Sequence, residues 1–358
     1  MAPMSGTTRL TWPSAAWHPI FFDLSLVAVV LALSGALSSY SSVGMAVWLT
    51  FAFVAIWLSW AIVMFTEPIH PVGVRRVTVM AVQMGALLTA AVAADDTVSD
   101  NTRVLGIALA VAVWATLPLL RRSGSWTDSR AAGRVALAGL MWVASALLWS
   151  TWWVLVPWLL ALALMGNGVR RLAAGEPDPH RIAHRLGELT IVVIGEGFLK
   201  VALVGSSIVL TLTSALAAVL ALVLATLVWW GYFILPRAGG TWTTRGMAGH
   251  FGLHLGLIGL AVGLAKLLAY DVDLPDAYGS GLIALPIGLV ALGLAMIAFD
   301  RGSRSTGAAY LVMAAAGGGA AVALWAGWLG PRVTTTGLTA LLGIVVLREA
   351  VRPNPDGP

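Results

Sequence analysis

The sequence predicts an all-α, polytopic membrane helix bundle with 12 transmembrane helices, built as two parallel six-helix repeats with both termini cytoplasmic. Three observations lead to this prediction: the apolar composition, the regular recurrence of apolar segments, and the position of the arginines between them. Of the 358 residues, 59% are hydrophobic and only 10% are charged, with a mean hydropathy of +0.89. A soluble domain carries far more charge, so the chain is expected to be embedded in a membrane.

Twelve apolar segments are long enough to cross a bilayer. A helix of about 20 apolar residues spans a hydrocarbon core about 30 Å thick. The predicted spans are 19–37, 44–66, 76–94, 103–120, 131–149, 152–168, 186–204, 208–235, 248–270, 281–299, 305–328 and 334–348. The gaps between them are short, which leaves no room for a soluble catalytic domain.

The arginines are concentrated in alternate gaps. If residue 1 is cytoplasmic, the outside gaps hold Arg103 and Arg332 together with two groups of aspartates, and the inside segments hold most of the 21 basic residues. These are Arg9, Arg75, Arg76, Arg121, Arg122, Arg130, Arg134, Arg170, Arg171, Arg181, Arg185, Arg237, Arg245, Arg301, Arg304, Arg348 and Arg352. The asymmetry follows the positive-inside rule for short loops. It explains the net positive charge without a nucleic-acid partner.

The first and seventh predicted helices share a pattern that indicates an internal duplication. Residues 23–30 align with residues 188–195, and each segment begins with an acid, a leucine and a small hydroxyl residue. Six helices per half is an even number, so both halves are expected to face the same way, with a site between them. The predicted organisation is a cytoplasmic segment 1–18, a first half 19–168, a cytoplasmic linker 169–185, a second half 186–348 and a cytoplasmic tail 349–358.

Ionisable side chains inside the spans are the candidate site, because a charge at mid-bilayer costs about 2.5–3.5 kcal/mol and tends to be paired, hydrated or functional. The candidate substrate or proton site consists of Asp23, Glu188, Glu196, Lys200, His254 and Gln83. Glu196 and Lys200 stand four residues apart on one helical face, so they can pair with each other or bind a ligand. Asp23 and Glu188 are equally compatible with stabilising the ends of their own helices.

Two histidines on one predicted helix raise the question of a metal. His250 and His254 stand four residues apart, a spacing that suits two metal ligands. Apolar residues fill the turn between them, so we expect no metal and no cofactor, and favour a buried hydrogen-bonding or proton-relay role for His254. The glycines at positions 252, 256, 259 and 263 predict close packing of this helix.

Aromatic side chains recur in the helices that correspond between the two halves. Together with the residue before Asp23, they form a candidate aromatic pocket made of Phe22, Trp57, Trp60, Trp229 and Trp230. Such a pocket would be apolar or would contact a cation. Ordinary core packing is the alternative interpretation of the same residues.

Two of these segments resemble the signatures of a known family. Residues 18–24, His-Pro-Ile-Phe-Phe-Asp-Leu, resemble the aromatic-aromatic-Asp-Leu signature of the low temperature requirement protein A family, and residues 187–196 resemble its second signature, in which a Gly-Glu pair ends an apolar run. The resemblance implies a multi-pass protein of the bacterial inner membrane, but it does not define a biochemical activity. The family usually has a glutamate four residues before the position of Asp23, and this chain has Pro19 there. His184 and Arg185 stand where the family tends to place glutamate and arginine, with Glu188 at a position that is usually apolar.

Three functions are compatible with this sequence. The favoured one is a permease or transporter, with or without proton coupling, that has a buried acid and histidine site between its halves. The first alternative is an intramembrane enzyme that uses acid–base chemistry on a lipid or isoprenoid-like substrate, and the second is a membrane scaffold. Membrane lipids and a small-molecule or lipid-like ligand are the expected partners. The sequence assigns no catalytic residue and no oligomeric state.

Overall fold

The computed structural model describes residues 17–39, 43–66, 74–95, 101–120, 126–148, 152–174, 178–209, 211–234, 243–269 and 277–351. Regular structure in these ranges is helical. The helices are α1 (Trp17–Ser39), α2 (Val43–Thr66), α3 (Val74–Asp95), α4 (Asn101–Ala115), α5 (Leu117–Leu120), α6 (Trp126–Leu147), α7 (Leu155–Ala173), α8 (Pro179–Ser207), α9 (Leu212–Ile234), α10 (Thr244–Leu268), α11 (Ala277–Asp300), α12 (Arg304–Trp325) and α13 (Pro331–Ala350). Almost all of the predicted segment 1–18 and most of the tail 349–358 lie outside the described residues.

Nine helical segments in the described ranges are long and apolar enough to cross a membrane. They are Val43–Thr66, Val74–Ala94, Asn101–Leu120, Pro179–Ser207, Leu212–Ile234, Thr244–Leu268, Ile283–Asp300, Arg304–Trp325 and Pro331–Ala350, and α1 contributes a shorter apolar stretch, Phe22–Ser38. The prediction of a helical bundle with many apolar helices is therefore confirmed. That the chain has twelve membrane spans, and that both termini are cytoplasmic, remain predictions.

Much of the predicted linker 169–185 is helical, and its cytoplasmic position stays a prediction. Helix α7 continues to Ala173, and α8 already begins at Pro179. The reason is local: the Asp178 side chain accepts a hydrogen bond from the His180 backbone N–H at 3.0 Å, and proline suits the first helical position because its missing N–H would have no helical partner. The early start of α8 places Arg185 inside the helix rather than in a loop.

The fourth predicted span contains a break at Thr116, between α4 and α5. Pro118 lacks a backbone N–H, and its ring clashes with the carbonyl of the residue four positions earlier in a regular helix. The chain forms a tighter turn instead, in which the Leu119 N–H donates to the carbonyl three residues earlier, that of Thr116, at 2.9 Å. Helix α5 is therefore a short separate segment, Leu117–Leu120.

The helix pairings follow the same order in both parts of the chain. In the first part, α1 packs on α3, α3 on α4, α4 on α6, α6 on α7, and α2 on α7. In the second part, α8 packs on α10, α10 on α11, α11 on α12, α12 on α13, and α9 on α13. The two parts meet where α1 and α2 contact α8 and α10. We call this junction the seam.

Burial identifies the central helices. In α10, 78% of the best spanning window is buried, and in α2 the share is 67%, whereas α8, α9 and α12 reach only 28%. Helix α8 is therefore largely peripheral, and only one of its faces enters the seam. Its buried face carries Arg185, Thr190, Glu196 and Lys200, which is an unusual set for the least exposed side of an apolar helix.

Glycines let α10, α11 and α12 approach closely. A methyl group placed on Gly256 of α10 would lie 2.7 Å from the Val290 backbone nitrogen of α11, and one on Gly317 of α12 would lie 2.6 Å from the Cα of Gly288. Only a residue without a side chain fits such a crossing, which is how small residues drive helix association in membranes. This packing holds α10, and with it His254, in place.

The Gly317–Gly288 crossing makes a clear prediction. We expect Gly317→Ala to lower the free energy of unfolding by about 1–3 kcal/mol, because the added methyl group overpacks a backbone contact. Gly318→Ala is the matched control, since a methyl group there meets no atom within 4 Å. Removing a helical glycine in open space is expected to be neutral or to stabilise by about 0.5–1 kcal/mol. Thermal unfolding of both purified variants checks this, and equal midpoints would contradict it.

Candidate functional site

Helices α1 and α8 run parallel and keep one register along the seam. Asp23 of α1 contacts Arg185 of α8, and Ser34 of α1 contacts Glu196 of α8. Both pairs are separated by 162 residues in the sequence. Because both residue numbers rise together by eleven, the helices point the same way, and the two contacts lie about 16 Å apart along the axis. The seam thus has polar contacts at two depths.

The first contact is a buried ion pair between Asp23 and Arg185. The Arg185 Nη2 donates to Asp23 Oδ1 at 3.0 Å, and Nη1 lies 2.8 Å from Oδ2 as a close ionic contact. The Trp60 indole N–H donates to the same Oδ1 at 2.8 Å. Both charged side chains are almost fully buried. One charge-assisted hydrogen bond and one close ionic contact therefore join this arginine to this carboxylate.

Glu188 supplies a second, weaker partner to the same arginine. Its Oε2 lies 3.6 Å from Arg185 Nη1, one turn further along α8, and its Oε1 lies 3.4 Å from the ring of His184. The Glu188 side chain is a quarter exposed and His184 is mostly exposed. Arg185 therefore faces one acid across the seam and another on its own helix.

His254 of α10 is held between both halves, and its partners determine its tautomer. The Trp57 indole N–H lies 3.1 Å from His254 Nδ1, and an indole can only donate, so Nδ1 must accept. The proton of the neutral ring is then on Nε2, which donates to the Thr190 hydroxyl at 3.0 Å. Thr190 in turn donates to the Leu186 carbonyl at 2.8 Å. Three helices, α2, α8 and α10, meet at this imidazole.

His250 occupies a separate site one turn away. Its Nδ1 lies 2.8 Å from the Gly246 carbonyl, so it donates there, and its Nε2 accepts from the Tyr232 hydroxyl at 3.2 Å. Both ring nitrogens of His250 and both of His254 are thus engaged by protein groups. The two imidazoles are orientated by different neighbours and do not converge on a common point.

The second seam contact joins Glu196 and Lys200 through Ser34. The Ser34 hydroxyl donates to Glu196 Oε1 at 2.6 Å, and Lys200 Nζ donates to the Ser34 carbonyl at 2.8 Å. Lys200 Nζ also lies 3.4 Å from the Ser34 hydroxyl oxygen. Glu196 is only 2% exposed, and within the described residues its Oε2 has no hydrogen-bond partner. The Oε2 atom of Glu196 is therefore a buried hydrogen-bond acceptor that can take a further donor.

Gln83 lies at the edge of this group, between α3 and α2. Its side-chain nitrogen donates to the Ser59 carbonyl at 3.1 Å, and its buried Oε1 has no partner within the described residues. Gln83 contacts neither His254 nor Glu196 through a described hydrogen bond. The Gln83 Oε1 atom is therefore a buried acceptor in the first half, as Glu196 Oε2 is in the second half.

The predicted aromatic residues divide into two groups. Phe22, Trp57 and Trp60 are buried at the seam, where the two tryptophans serve mainly as hydrogen-bond donors to His254 and Asp23. Trp229 and Trp230 are 46% and 39% exposed, so they do not join that group. The physical reason is that α9 is a peripheral helix, and most of its surface lies outside the protein core. These five residues therefore do not form one pocket.

A small apolar cleft lies beside the seam, between α1 and α2 on one side and α10 and α11 on the other. Its volume is about 120 Å³, and its lining includes Leu33, Phe53, Ile258 and Pro286. Leu33 directly precedes Ser34. The cleft is therefore close in sequence to the Glu196 contact, although its walls are formed by apolar side chains.

Sequence reasoning missed three residues that organise this site: Arg185, Ser34 and Thr190. Each is a polar side chain on the buried face of α1 or α8. The signal that could have found two of them is the register, since the separation of Asp23 from Arg185 equals that of Ser34 from Glu196. Thr190 was visible only as part of the duplicated acid–leucine–hydroxyl pattern.

The fold and the buried polar seam define a multi-pass helical membrane protein. The family model of the bacterial low temperature requirement A protein (LtrA) matches residues 14–347, nearly the whole chain. The chain therefore belongs to the low temperature requirement A family, as the two motifs indicated. A comparison with curated proteins finds no match. A comparison with solved structures finds none either.

Proposed function

We propose that this protein is a permease-type transporter, proton-coupled through Glu196, whose two halves move against each other along the seam. The observation that carries the proposal is the Glu196 carboxylate. It is buried between the halves, and one of its oxygens has no partner within the described residues. A buried acceptor without a partner costs free energy, so it is maintained where a proton or a substrate group occupies it during function.

The arrangement of helices supports an origin by duplication. The pairing order is the same in both parts of the chain, and α1 and α8 run parallel, as expected for two halves with the same orientation. We infer that residues 19–168 and 186–348 are repeats that enclose the seam. A bacterial inner-membrane location with both termini cytoplasmic is part of the same proposal.

Arg185 keeps an acidic partner in the proposed open state of the seam. In the closed arrangement Arg185 holds Asp23 on the opposite half. When α1 separates from α8, Glu188 on the same helix is already 3.6 Å from Arg185 and takes over as its partner. The guanidinium is then never left as an unpaired buried charge, which is the expensive outcome in an apolar environment. Arg185 can thus exchange one acidic partner for the other when the halves separate.

An intramembrane enzyme is the second candidate, supported by the apolar cleft beside the seam. Its walls suit a hydrocarbon chain, and Glu196 is connected to it through Ser34, which follows the lining residue Leu33. Asp23 is less suited to acid–base chemistry because Arg185 and Trp60 already engage it. A membrane scaffold would need the seam to remain closed at all times.

One experiment separates these three functions, and it requires no knowledge of the substrate. The chain has no cysteine, so single cysteines report directly on access. Val30→Cys, buried at the seam, is expected to react with a membrane-impermeant thiosulfonate from at least one aqueous side. Ala138→Cys, buried in α6 away from the seam, is the matched control and is expected to stay unreactive.

The possible outcomes are distinct. Reaction of Val30→Cys with the impermeant reagent supports movement of the halves with entry of water. Reaction only with a lipid-soluble maleimide supports the enzyme, whose cavity would open to lipid. No reaction with either reagent, in cells and in inverted vesicles, would exclude the transporter and support the scaffold.

A further inference from the structure

Four arginines gather at one end of the first half, where α6 begins and α7 ends. Arg130 and Arg134 lie in the first turns of α6, and Arg170 and Arg171 lie in the last turn of α7, which packs on α6. The partners described for two of them are neutral. Arg134 donates to the Arg130 carbonyl, and Arg170 donates to the Asn167 side-chain oxygen, both at 3.4 Å.

Arg171 lies in the middle of this group. Arg134, Arg130 and Arg170 all act on it by electrostatic repulsion. Its Nε is buried and, within the described residues, has no hydrogen-bond partner. A guanidinium among three like charges, with a donor unused, is stabilised by an anion.

A cavity of about 290 Å³ lies next to these arginines, between α5 and α6. It is lined by Leu117, Leu120, Ser129, Ala132, Gly133 and Ala136. Arg130 and Arg134 alternate with these lining residues along α6. From the other side, Arg75 of α3 donates to the Pro118 carbonyl at 3.2 Å and so lies at the same place. The cavity walls are thus mostly small or apolar, and Arg75, Arg130 and Arg134 lie next to lining residues in sequence or contact a sequence neighbour of one.

We propose that this cluster binds the phosphate of an anionic phospholipid, with part of the lipid in the adjoining cavity. A phosphate accepts hydrogen bonds from several guanidinium groups at once, and basic pockets between transmembrane helices bind such headgroups. The cavity argues for a lipid rather than a free phosphate, because leucine and alanine walls suit hydrocarbon and give nothing to an inorganic ion. The site is independent of the proposed transport function.

The test uses the full-length protein, delipidated in a zwitterionic detergent. Phosphatidylglycerol is titrated, and bound lipid is counted by native mass spectrometry. Arg134→Gln/Arg171→Gln is expected to bind phosphatidylglycerol roughly thirtyfold more weakly than the unmodified chain, since each basic side chain near a lipid headgroup contributes about a factor of five. The single variant Arg130→Gln, at an exposed position, is expected to show a smaller loss in the same direction.

The matched control removes the same charge from the corresponding place in the second half. Arg304→Gln/Arg348→Gln changes the start of α12 and the last turn of α13, both exposed, and is expected to bind phosphatidylglycerol like the unmodified chain. Equal losses in the two double variants would overturn the proposal, since net charge alone would then explain binding. Inorganic phosphate forms the second arm. If it displaces phosphatidylglycerol at equal concentration, the site is one for a free anion and the lipid assignment is wrong.

Discussion

Replacing Asp23 with asparagine is expected to lower the free energy of unfolding by about 3 kcal/mol or more. Breaking a buried ion pair by removing one charge typically costs about 3–5 kcal/mol, because the remaining charge is left without compensation. The value is expected near the lower limit of that range, since Glu188 remains 3.6 Å from Arg185. Thermal and detergent-induced unfolding of the purified protein measure the change.

The matched control is Glu188→Gln, which makes the same chemical change beside the same arginine. Glu188 is more exposed and its contact with Arg185 is longer, so its loss is expected to cost less than about 1 kcal/mol. The double variant Asp23→Asn/Arg185→Gln is expected to recover part of the stability lost by Asp23→Asn, because it removes both charges together. If Asp23→Asn and Glu188→Gln had the same effect, the seam would not depend on the Asp23–Arg185 pair.

Glu196→Gln is expected to close the seam. An ionised Glu196 with an oxygen that lacks a partner favours conformations in which water reaches it, whereas glutamine, like a protonated acid, is neutral. We expect the rate at which an impermeant reagent labels Val30→Cys to fall at least about tenfold in the Glu196→Gln background, since about 1.4 kcal/mol corresponds to tenfold. The labelling rate should rise with pH in the parent and lose that dependence in the variant.

Two controls make this result specific. Labelling rates are divided by those of Val351→Cys, an exposed position, because the thiol itself reacts faster at higher pH. Glu188→Gln removes a titratable acid from α8 without touching Ser34, and it should retain the pH dependence of seam labelling. An unchanged pH dependence in Glu196→Gln would refute proton coupling through this residue.

The proposed transport function gives a role to the polar residues along the apolar seam. Arg185 can pair with Asp23 or with Glu188, and Glu196 can accept a further partner. A seam built only for cohesion would engage every buried polar atom, because each unpaired one costs free energy. In the proposed transporter, the unpaired oxygen of Glu196 is the place where a proton or a substrate group binds.

Much of the architecture was accessible from the sequence, and the ends of its helices were not. Alternating arginines and apolar spans predicted a multi-helix membrane protein, and two short motifs pointed to the family that the comparison confirmed. The start of α8 within the predicted linker was not predicted, because it depends on a capping aspartate and on Pro179. Hydropathy measures only average apolarity over many residues, so it does not detect such local signals.

The candidate site was predicted as a set of residues and not as a set of contacts. Glu196 and Lys200 were expected either to pair with each other or to bind a ligand, and in the structure both contact Ser34 of the opposite half. The tryptophans of α2 and α9 were grouped because they occupy corresponding positions, yet only those of α2 are buried at the seam. Helical spacing within one segment indicates which residues share a face, but it does not indicate what that face meets.

The sequence by itself determined that this chain is a helical membrane protein of the low temperature requirement A family, because apolar length, arginine position and short motifs are local properties. Only the tertiary structure decided which charges meet. Arg185 binds Asp23, and Ser34 bridges Glu196 and Lys200, because α1 and α8 pack in parallel with one fixed register. A register between segments more than 160 residues apart depends on how every intervening helix packs.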